Sequence, residues 1–177
     1  MPNLKHEKIL IVGPSGSGKD HLLRGLIKKE LEYSPKFTTR PKRALETDGT
    51  EYNFITIDRF QELNKNDQIK VYQSFLIGDD TWYYGITKEN FDNNKVFILT
   101  PHELSQLSQE DIKGSFVVYL DIDINIRRKR ISNRNDNSDS VERRLKADEV
   151  DFKYFSGYDL KITDPEFEAE WVYELMN

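Results

Sequence analysis

The stretch "KILIVGPSGSGKD", Lys8 to Asp20, decides how this chain is read. After Lys8, its next four residues form an apolar, largely β-branched run that stops at glycine, as a strand buried on both faces does. Beyond it, in "KDHLLRGLIKKELE", Leu22, Leu23, Leu26, Ile27 and Leu31 recur at helical spacing. Between strand and helix, Gly13, Pro14, Ser15, Gly16, Ser17, Gly18 and Lys19 fit the pattern G-x-x-x-x-G-K. Small residues there let successive backbone N–H groups wrap an anion, and the lysine adds a positive charge. The helix N-terminus contributes its dipole at the same point. The bland alternative, a glycine-rich turn ahead of a helix, does not require the closing lysine. The eighth position calls for Ser or Thr, whose hydroxyl holds Mg²⁺, and here it is Asp20. A carboxylate is a hard oxygen ligand for Mg²⁺, bound directly or through water, at the cost of negative charge beside the phosphates. The competing reading of Asp20 is a degraded loop that binds anions weakly.

Working outward, "KVFILT" (Lys95 to Thr100), "SFVVYLDID" (Ser115 to Asp123) and "LKIT" (Leu160 to Thr163) read as further strands. The segments "PHELSQLS", "INIRRKRISNR" and "PEFEAEWVYELM" read as helices. Strands alternating with helices imply an α/β fold, a three-layer P-loop core around a parallel sheet. Residues 33–94 differ, with many aromatics, turn signals at Asp48-Gly49 and Gly78-Asp79-Asp80, and alternating runs such as "EYNFITI". They read as an inserted subdomain with antiparallel strands. The polar "SNRNDNSDS", Ser132 to Ser140, reads as a surface segment.

The 177 residues suit one domain, and 37% hydrophobic with 32% charged residues indicates a globular chain with a charged surface. A net charge of −5 argues against a general nucleic-acid binder. With no cysteine and three scattered histidines, thiolate and histidine metal sites are not expected. The first residues lack a signal-peptide core, and no apolar run approaches the ~20 residues of a membrane span. A cytoplasmic protein with no membrane partner is the expectation.

The second informative stretch is "FTTRPKRALETDGTEYNF", Phe37 to Phe54. Arg40 and Arg43 flank a Pro-Lys turn, and Tyr52 follows in a strand-like run. Two neighbouring guanidinium groups suit a phosphate monoester, with nearly two charges and three acceptor oxygens. At this point the chain resembles the guanylate kinase family. The family's "GPSGxGK", "TTRxxR", "GxxYxF" and "YYG" stand here in the same order as "GPSGSGK", "TTRPKR", "GTEYNF" and "YYG" (Tyr83 to Gly85). "RKRISNRNDNSDSVERRL" is similar to the family's lid, so the resemblance covers nearly the whole chain. It implies one domain over 1–177, with a core of 1–32 and 95–177, an acceptor-binding insert at 33–94 and a lid at 132–146. It implies ATP and Mg²⁺ as cofactors, nucleotides as small-molecule partners, and a monomer or homodimer. In that scheme Lys19 binds the ATP phosphates, and Arg40, Arg43, Tyr52 and Tyr84 grip the acceptor phosphate. Arg130, Arg134 and Arg144 close over the transferring group. Tyr83 reads as a packing aromatic, and Arg127, Arg128 and Lys129 as solvated surface residues.

The family reads guanine through a serine before "TTR", a glutamate before the "YYG" hairpin and a hydroxyl after it. Those positions fall here on Lys36, Val71 and Ile86, and an acidic "DxD" is replaced by "TPH", Thr100 to His102. A base pocket without polar partners leaves buried donors unpaired, at about 1–3 kcal/mol each. Three acceptors therefore stay open. One is GMP or dGMP, the leading expectation, with the base read by other groups such as Asp79, Asp80, His102 or Glu103. Another is a different nucleoside monophosphate. The third is ribose 1,5-bisphosphate, since the aspartate-ending loop resembles that of a sugar-phosphate kinase related to the family. A catalytically inactive, phosphopeptide-binding domain of the same fold is a further alternative, disfavoured by the intact loop.

Overall fold

In the computed structural model, residues 6–133 and 140–176 are described. In chain order the elements are β1 (Lys8–Val12), α1 (Lys19–Ile27), β2 (Phe37–Thr38), β3 (Asn53–Phe54), α2 (Ile57–Lys65), β4 (Ile69–Ile77), β5 (Asp80–Thr87), α3 (Lys88–Asn93), β6 (Val96–Leu99), α4 (Pro101–Leu104), α5 (Gln109–Lys113), β7 (Ser115–Leu120), α6 (Ile124–Ser132), α7 (Val141–Phe152), β8 (Leu160–Ile162) and α8 (Ala169–Met176). The described residues divide into two units. One lies within Met1–Leu31, Val96–Pro101 and Ser108–Asn177, and the other spans Glu32–Lys95 and His102–Leu107.

The first unit is built on a parallel sheet of order β6-β1-β7-β8. β1 lies between β6 and β7, and Ile9, Leu10, Ile11 and Val12 are all buried. This explains why its sequence is uniformly apolar rather than alternating, since a strand inside a parallel sheet has helices on both faces. β1 therefore delivers Gly13 to the end of the sheet, where the glycine loop leads into α1. The helix is shorter than its apolar pattern suggests. It ends at Ile27, Lys28 caps it, and Glu30 takes a positive φ of 62°. Ile27 is left exposed, while Leu31 is buried from outside the helix. Likewise, "PHELSQLS" yields only one turn, α4, because the chain leaves the helix before Ser105.

α8 packs on α1 at a contact that only a residue without a side chain permits. A Cβ at Gly25 would stand 2.1 Å from the Cβ of Ala169.

The second unit carries a mixed sheet of order β3-β2-β5-β4. β2 pairs antiparallel with β5, as β4 does, but runs parallel to β3, so the expected antiparallel insert contains one parallel pair. β4 and β5 form a hairpin closed by Gly78 and Asp79, with Gly78 at φ +62°. On one face, Phe37, Phe60 and Tyr83 form an aromatic core, in which Phe60 stacks on Tyr83 at 3.9 Å. The exposed edge of β4 is covered by a side chain. Gln106 donates from Nε2 to the Tyr72 carbonyl at 2.7 Å and accepts from the Tyr72 N–H at 3.0 Å, which satisfies an edge that would otherwise be open.

The α1–α8 contact makes a prediction. Gly25→Ala should lower stability, because overpacking of about 1–3 kcal/mol outweighs the roughly 1 kcal/mol that alanine adds to helix propensity. A denaturant midpoint equal to or above that of the parent would refute this account of the contact.

Candidate active site

The glycine loop is shaped by three positions that tolerate no side chain. A Cβ at Gly13 would sit 2.6 Å from Ser17 Oγ, and one at Gly16 would sit 2.9 Å from the Arg127 carbonyl. Gly16 and Gly18 have φ of +76° and +102°, conformations that L-residues rarely adopt. Gly18 caps α1 without a side chain, so no side chain competes for the first-turn N–H groups. The Lys19 ammonium donates to the carbonyls of Gly13 at 2.6 Å and Pro14 at 2.9 Å, across the mouth of the loop. Ser17 Oγ is fully enclosed and has no hydrogen-bond partner among the described residues. Asp20, in the first turn of α1, is exposed. Beside the loop lies a cavity of about 610 Å³ lined in part by Gly16, Gly18, Asp20, His21, Arg130 and Phe167.

The arginines that follow divide by role. Arg130 donates to the carbonyls of Gly16 at 3.3 Å and Pro165 at 2.7 Å, so it joins the loop to the segment before α8 and lines the cavity. Arg127 is not the solvated residue that its charge suggests. It is buried, donating from Nε to the Ile122 carbonyl at 2.9 Å and reaching Ser15 O and Asp148 at 3.4 Å. The reason is that α6 turns this position against the loop, where Asp148 of α7 also accepts from the Ser15 N–H at 2.9 Å. A carboxylate thus already sits on one loop amide, compensated by Arg127. Arg144 lies half-buried on α7. Arg134 lies outside the described residues.

In the second unit the "TTR" run is held strand to strand. Thr39 donates its N–H to the Tyr83 carbonyl at 3.0 Å, and its Oγ1 accepts from the Tyr83 N–H at 2.9 Å. Thr38 Oγ1 accepts from the Arg40 N–H at 3.1 Å. These contacts bring Arg40 beside Tyr52 and Phe54, whose rings lie 5.5 and 5.6 Å from the guanidinium. Tyr52 and Tyr84 meet edge-on at 5.5 Å. The hairpin's alternation explains why the adjacent tyrosines part company, with Tyr83 in the aromatic core and Tyr84 on the opposite face.

Arg40 is only 6% exposed and is paired in both arms with Glu46, at 2.6 Å and 3.0 Å. The Arg43 N–H donates to the same carboxylate at 2.8 Å, while the Arg43 side chain is exposed. The Glu46 hydrogen bond holds the Arg40 guanidinium above its ordinary range against the opposing effect of burial, with Tyr84 adding to the rise. In return the Arg40 hydrogen bond holds Glu46 below the usual carboxylate range, against desolvation. Glu46 was invisible as a site residue from composition, although its place in the "TTRPKRALE" turn put a carboxylate within reach of two arginines.

Lys36, Val71 and Ile86 all lie in this second unit. Val71 pairs with Ile86 across the hairpin, and both are enclosed, at 1% and 2% exposure. Lys36 precedes β2 and donates to Glu103 at 2.5 Å. Glu103 is 1% exposed and belongs to the segment His102–Leu107 that joins this unit. Asp79 and Asp80 lie exposed at the hairpin tip, and His102 is exposed.

A family model described as guanylate kinase matches residues 5–175. The chain belongs to the guanylate kinase family. Similar members include the guanylate kinase of Nostoc sp., 30% identical over 94% of this chain and 86% of that protein. The guanylate kinase of Lactococcus lactis is 30% identical over 93% and 84%. The structure of guanylate kinase from Anaplasma phagocytophilum shares the fold, with a TM-score of 0.67 at 19% identity, over 98% of this chain and 86% of that one. As a member of the family the chain is a nucleoside-monophosphate kinase. Among the described residues no helix is long and apolar enough to cross a membrane, and no group of three or more His, Asp or Glu is arranged to hold a metal ion.

The Arg40–Glu46 pair sets a pH dependence. Glu46 has a lowered folded-state pKa, so its contribution is complete above the unfolded value of about 4.3 and is lost as pH falls through the lowered folded value. The melting-temperature difference between parent and Glu46→Gln should therefore be largest near neutral pH and shrink in the acid range. A difference that is constant with pH would count against the pair.

Proposed function

We propose that the chain transfers the γ-phosphoryl group of ATP directly to the phosphate of a nucleoside monophosphate, with GMP or dGMP as acceptor by kinship to the relatives named above. The observation that carries this reading is the buried Arg40 guanidinium, whose fork grips a carboxylate beside Tyr52 and Tyr84. A carboxylate offers the fork two oxygens, as a phosphate does. Glu46 is thus a stand-in that an acceptor phosphate displaces or shares, with Arg43 near enough to add a second guanidinium.

In the other unit the Gly13–Lys19 loop and the uncapped start of α1 supply N–H groups and one ammonium for the donor phosphates. The neighbouring cavity, with His21, Arg130 and Phe167 in its wall, takes the donor's nucleoside. An acceptor phosphate oxygen is already anionic, so it forms the new P–O bond without a general base, and the bond to ADP breaks as ADP leaves with its electron pair. What the chain supplies is positioning and charge compensation. Lys19 and Arg130, with Arg134 and Arg144 of a lid at 132–146, act on the transferring group. The exposed carboxylate of Asp20, in the first turn of α1, is a hard oxygen donor that fits Mg²⁺, held directly or through water. Mg²⁺ would neutralise phosphate charge there. The single domain acts as a cytoplasmic monomer or homodimer.

ADP release coupled to NADH oxidation, measured with ATP alone and with GMP or dGMP added, tests the reading. Acceptor-dependent turnover is the expected result, and acceptor-independent hydrolysis alone would overturn it. Arg43→Ala should lower kcat/KM for the acceptor about ten- to hundredfold, the worth of a charge-assisted contact. Asp20→Ala should raise the Mg²⁺ concentration needed for half-maximal rate, whereas full turnover of that variant at low Mg²⁺ would remove Asp20 from the metal site.

A further inference from the structure

The inward stripe of α7 is only partly apolar. The residues of this helix that are not exposed, Val141, Arg144, Leu145, Asp148 and Phe152, recur at helical spacing, and of these Leu145 alone is buried. Phe152 adds a ring stacked on Tyr119 at 5.7 Å, and Glu142 an exposed pair with Arg128 that is worth little. So small an apolar attachment fixes the orientation of a helix poorly. That leaves orientation to the polar contact in the middle of the stripe.

There Asp148 takes hold of Ser15 in the glycine loop with both carboxylate oxygens. Oδ2 accepts from the Ser15 N–H at 2.9 Å, and Oδ1 accepts from the Ser15 hydroxyl at 3.3 Å. Arg127 of α6 completes a triangle, donating from Nη1 to Asp148 Oδ2 and to the Ser15 carbonyl, each at 3.4 Å. Its Nε donates to the Ile122 carbonyl at 2.9 Å, which fixes the guanidinium from behind. The Arg127 and Asp148 side chains are 9% and 13% exposed. Both backbone groups of one loop residue are thus held by side chains from two helices. Stability alone does not call for this, since apolar residues of similar volume commonly serve as well as a buried ion pair. The Ser15 N–H is committed to a carboxylate, so donor phosphates must be met by the other loop amides. The carboxylate would also repel those phosphates if Arg127 did not balance its charge.

Arg144 stands four residues before Asp148 on the same stripe, about 5–6 Å away between Cβ atoms. Whatever sets Asp148 against the loop therefore sets Arg144 as well. Resting on the reading that this loop holds the donor phosphates and that Arg144 acts on the transferring group, we propose that Arg127 and Asp148 are positioning residues for phosphoryl transfer. Asp148, through Ser15, sets the orientation of α7 against the loop and with it the place of Arg144. Arg127 cancels the charge that this carboxylate brings to the donor side.

The test compares two neutral replacements of the pair, by coupled ADP release with ATP and GMP and by melting temperature. Arg127→Met/Asp148→Asn keeps an oxygen that accepts from the Ser15 N–H, whereas Arg127→Met/Asp148→Leu does not. Neither leaves a charge buried alone, and all rates are taken well below each variant's melting temperature. The leucine pair should lower kcat about ten- to hundredfold, as a misplaced charge-stabilising group does, with the KM for GMP unchanged. The asparagine pair should recover kcat to within about threefold of the parent. Adding Arg144→Ala to the leucine pair should cost no more in kcat than Arg144→Ala costs the parent, because the two act as one unit. Arg127→Met alone should raise the KM for ATP about tenfold at low salt and less at high salt. Equal kcat in the leucine and asparagine pairs, whatever their melting temperatures, means a merely structural contact and overturns the proposal. Additive losses with Arg144→Ala overturn it as well. If the parent shows no GMP-dependent turnover, or if Lys19→Ala leaves kcat and the KM for ATP unchanged, it is the underlying reading of the reaction or of the loop that fails.

Discussion

Two positive-φ glycines in succession, Gly16 and Gly18, are the constraint on which the donor side of this molecule depends. They turn the chain so tightly after β1 that the loop's own carbonyls come within reach of Lys19. Everything around the loop is arranged to keep that turn. β1 is buried on both faces and so has a fixed end point. α6 presses its backbone against Gly16, and Arg130 gathers the Gly16 and Pro165 carbonyls. The same closeness explains why Gly13 also lacks a side chain, since Ser17 Oγ fills the space a Cβ would need.

A second theme is that three of the cationic points have an acid in attendance. Arg40 has Glu46, Arg127 has Asp148, and Lys36 has Glu103. Burying a guanidinium or ammonium is costly unless the charge is met. A chain that must hold cations ready for phosphates therefore needs partners for the times when no phosphate is bound. The three pairs differ in how far they can yield. Glu46 lies in a turn between Arg43 and the Asp48-Gly49 bend, with only part of its surroundings closed. Glu103 is sealed in, which makes Lys36 part of a fixed surface.

Much of the fold was legible from local pattern. The apolar run of β1 and the runs of β6 and β7 each announce a buried parallel strand, because such strands need no alternation. The helix ends were less legible. α1 stops at Ile27, where Lys28 caps it and Glu30 takes a positive φ, although the apolar spacing runs on to Leu31. Arg127 reads as surface from its charge and its charged neighbours, and only the turn of α6 against the loop puts it inside. The aromatic pair Tyr83-Tyr84 could be divided by strand alternation alone, since neighbours on a strand must face opposite ways. At Val71 and Ile86 the sequence identified apolar side chains, which the fold encloses. It could not show that Glu103, sixty-seven residues from Lys36, returns to meet it.

The sequence by itself determined the local chemistry of the glycine loop and of the Arg40–Arg43 turn. There, residue type and short spacing are sufficient, because a glycine turn or an Arg-x-x-Arg pair acts through neighbours a few residues away. What only the tertiary structure decided was the pairing of charges between distant segments and the exposure of each member. Those depend on loop closure and on the register of β2, β4 and β5, and an unpaired buried charge is so costly that the fold must settle them before any ligand arrives.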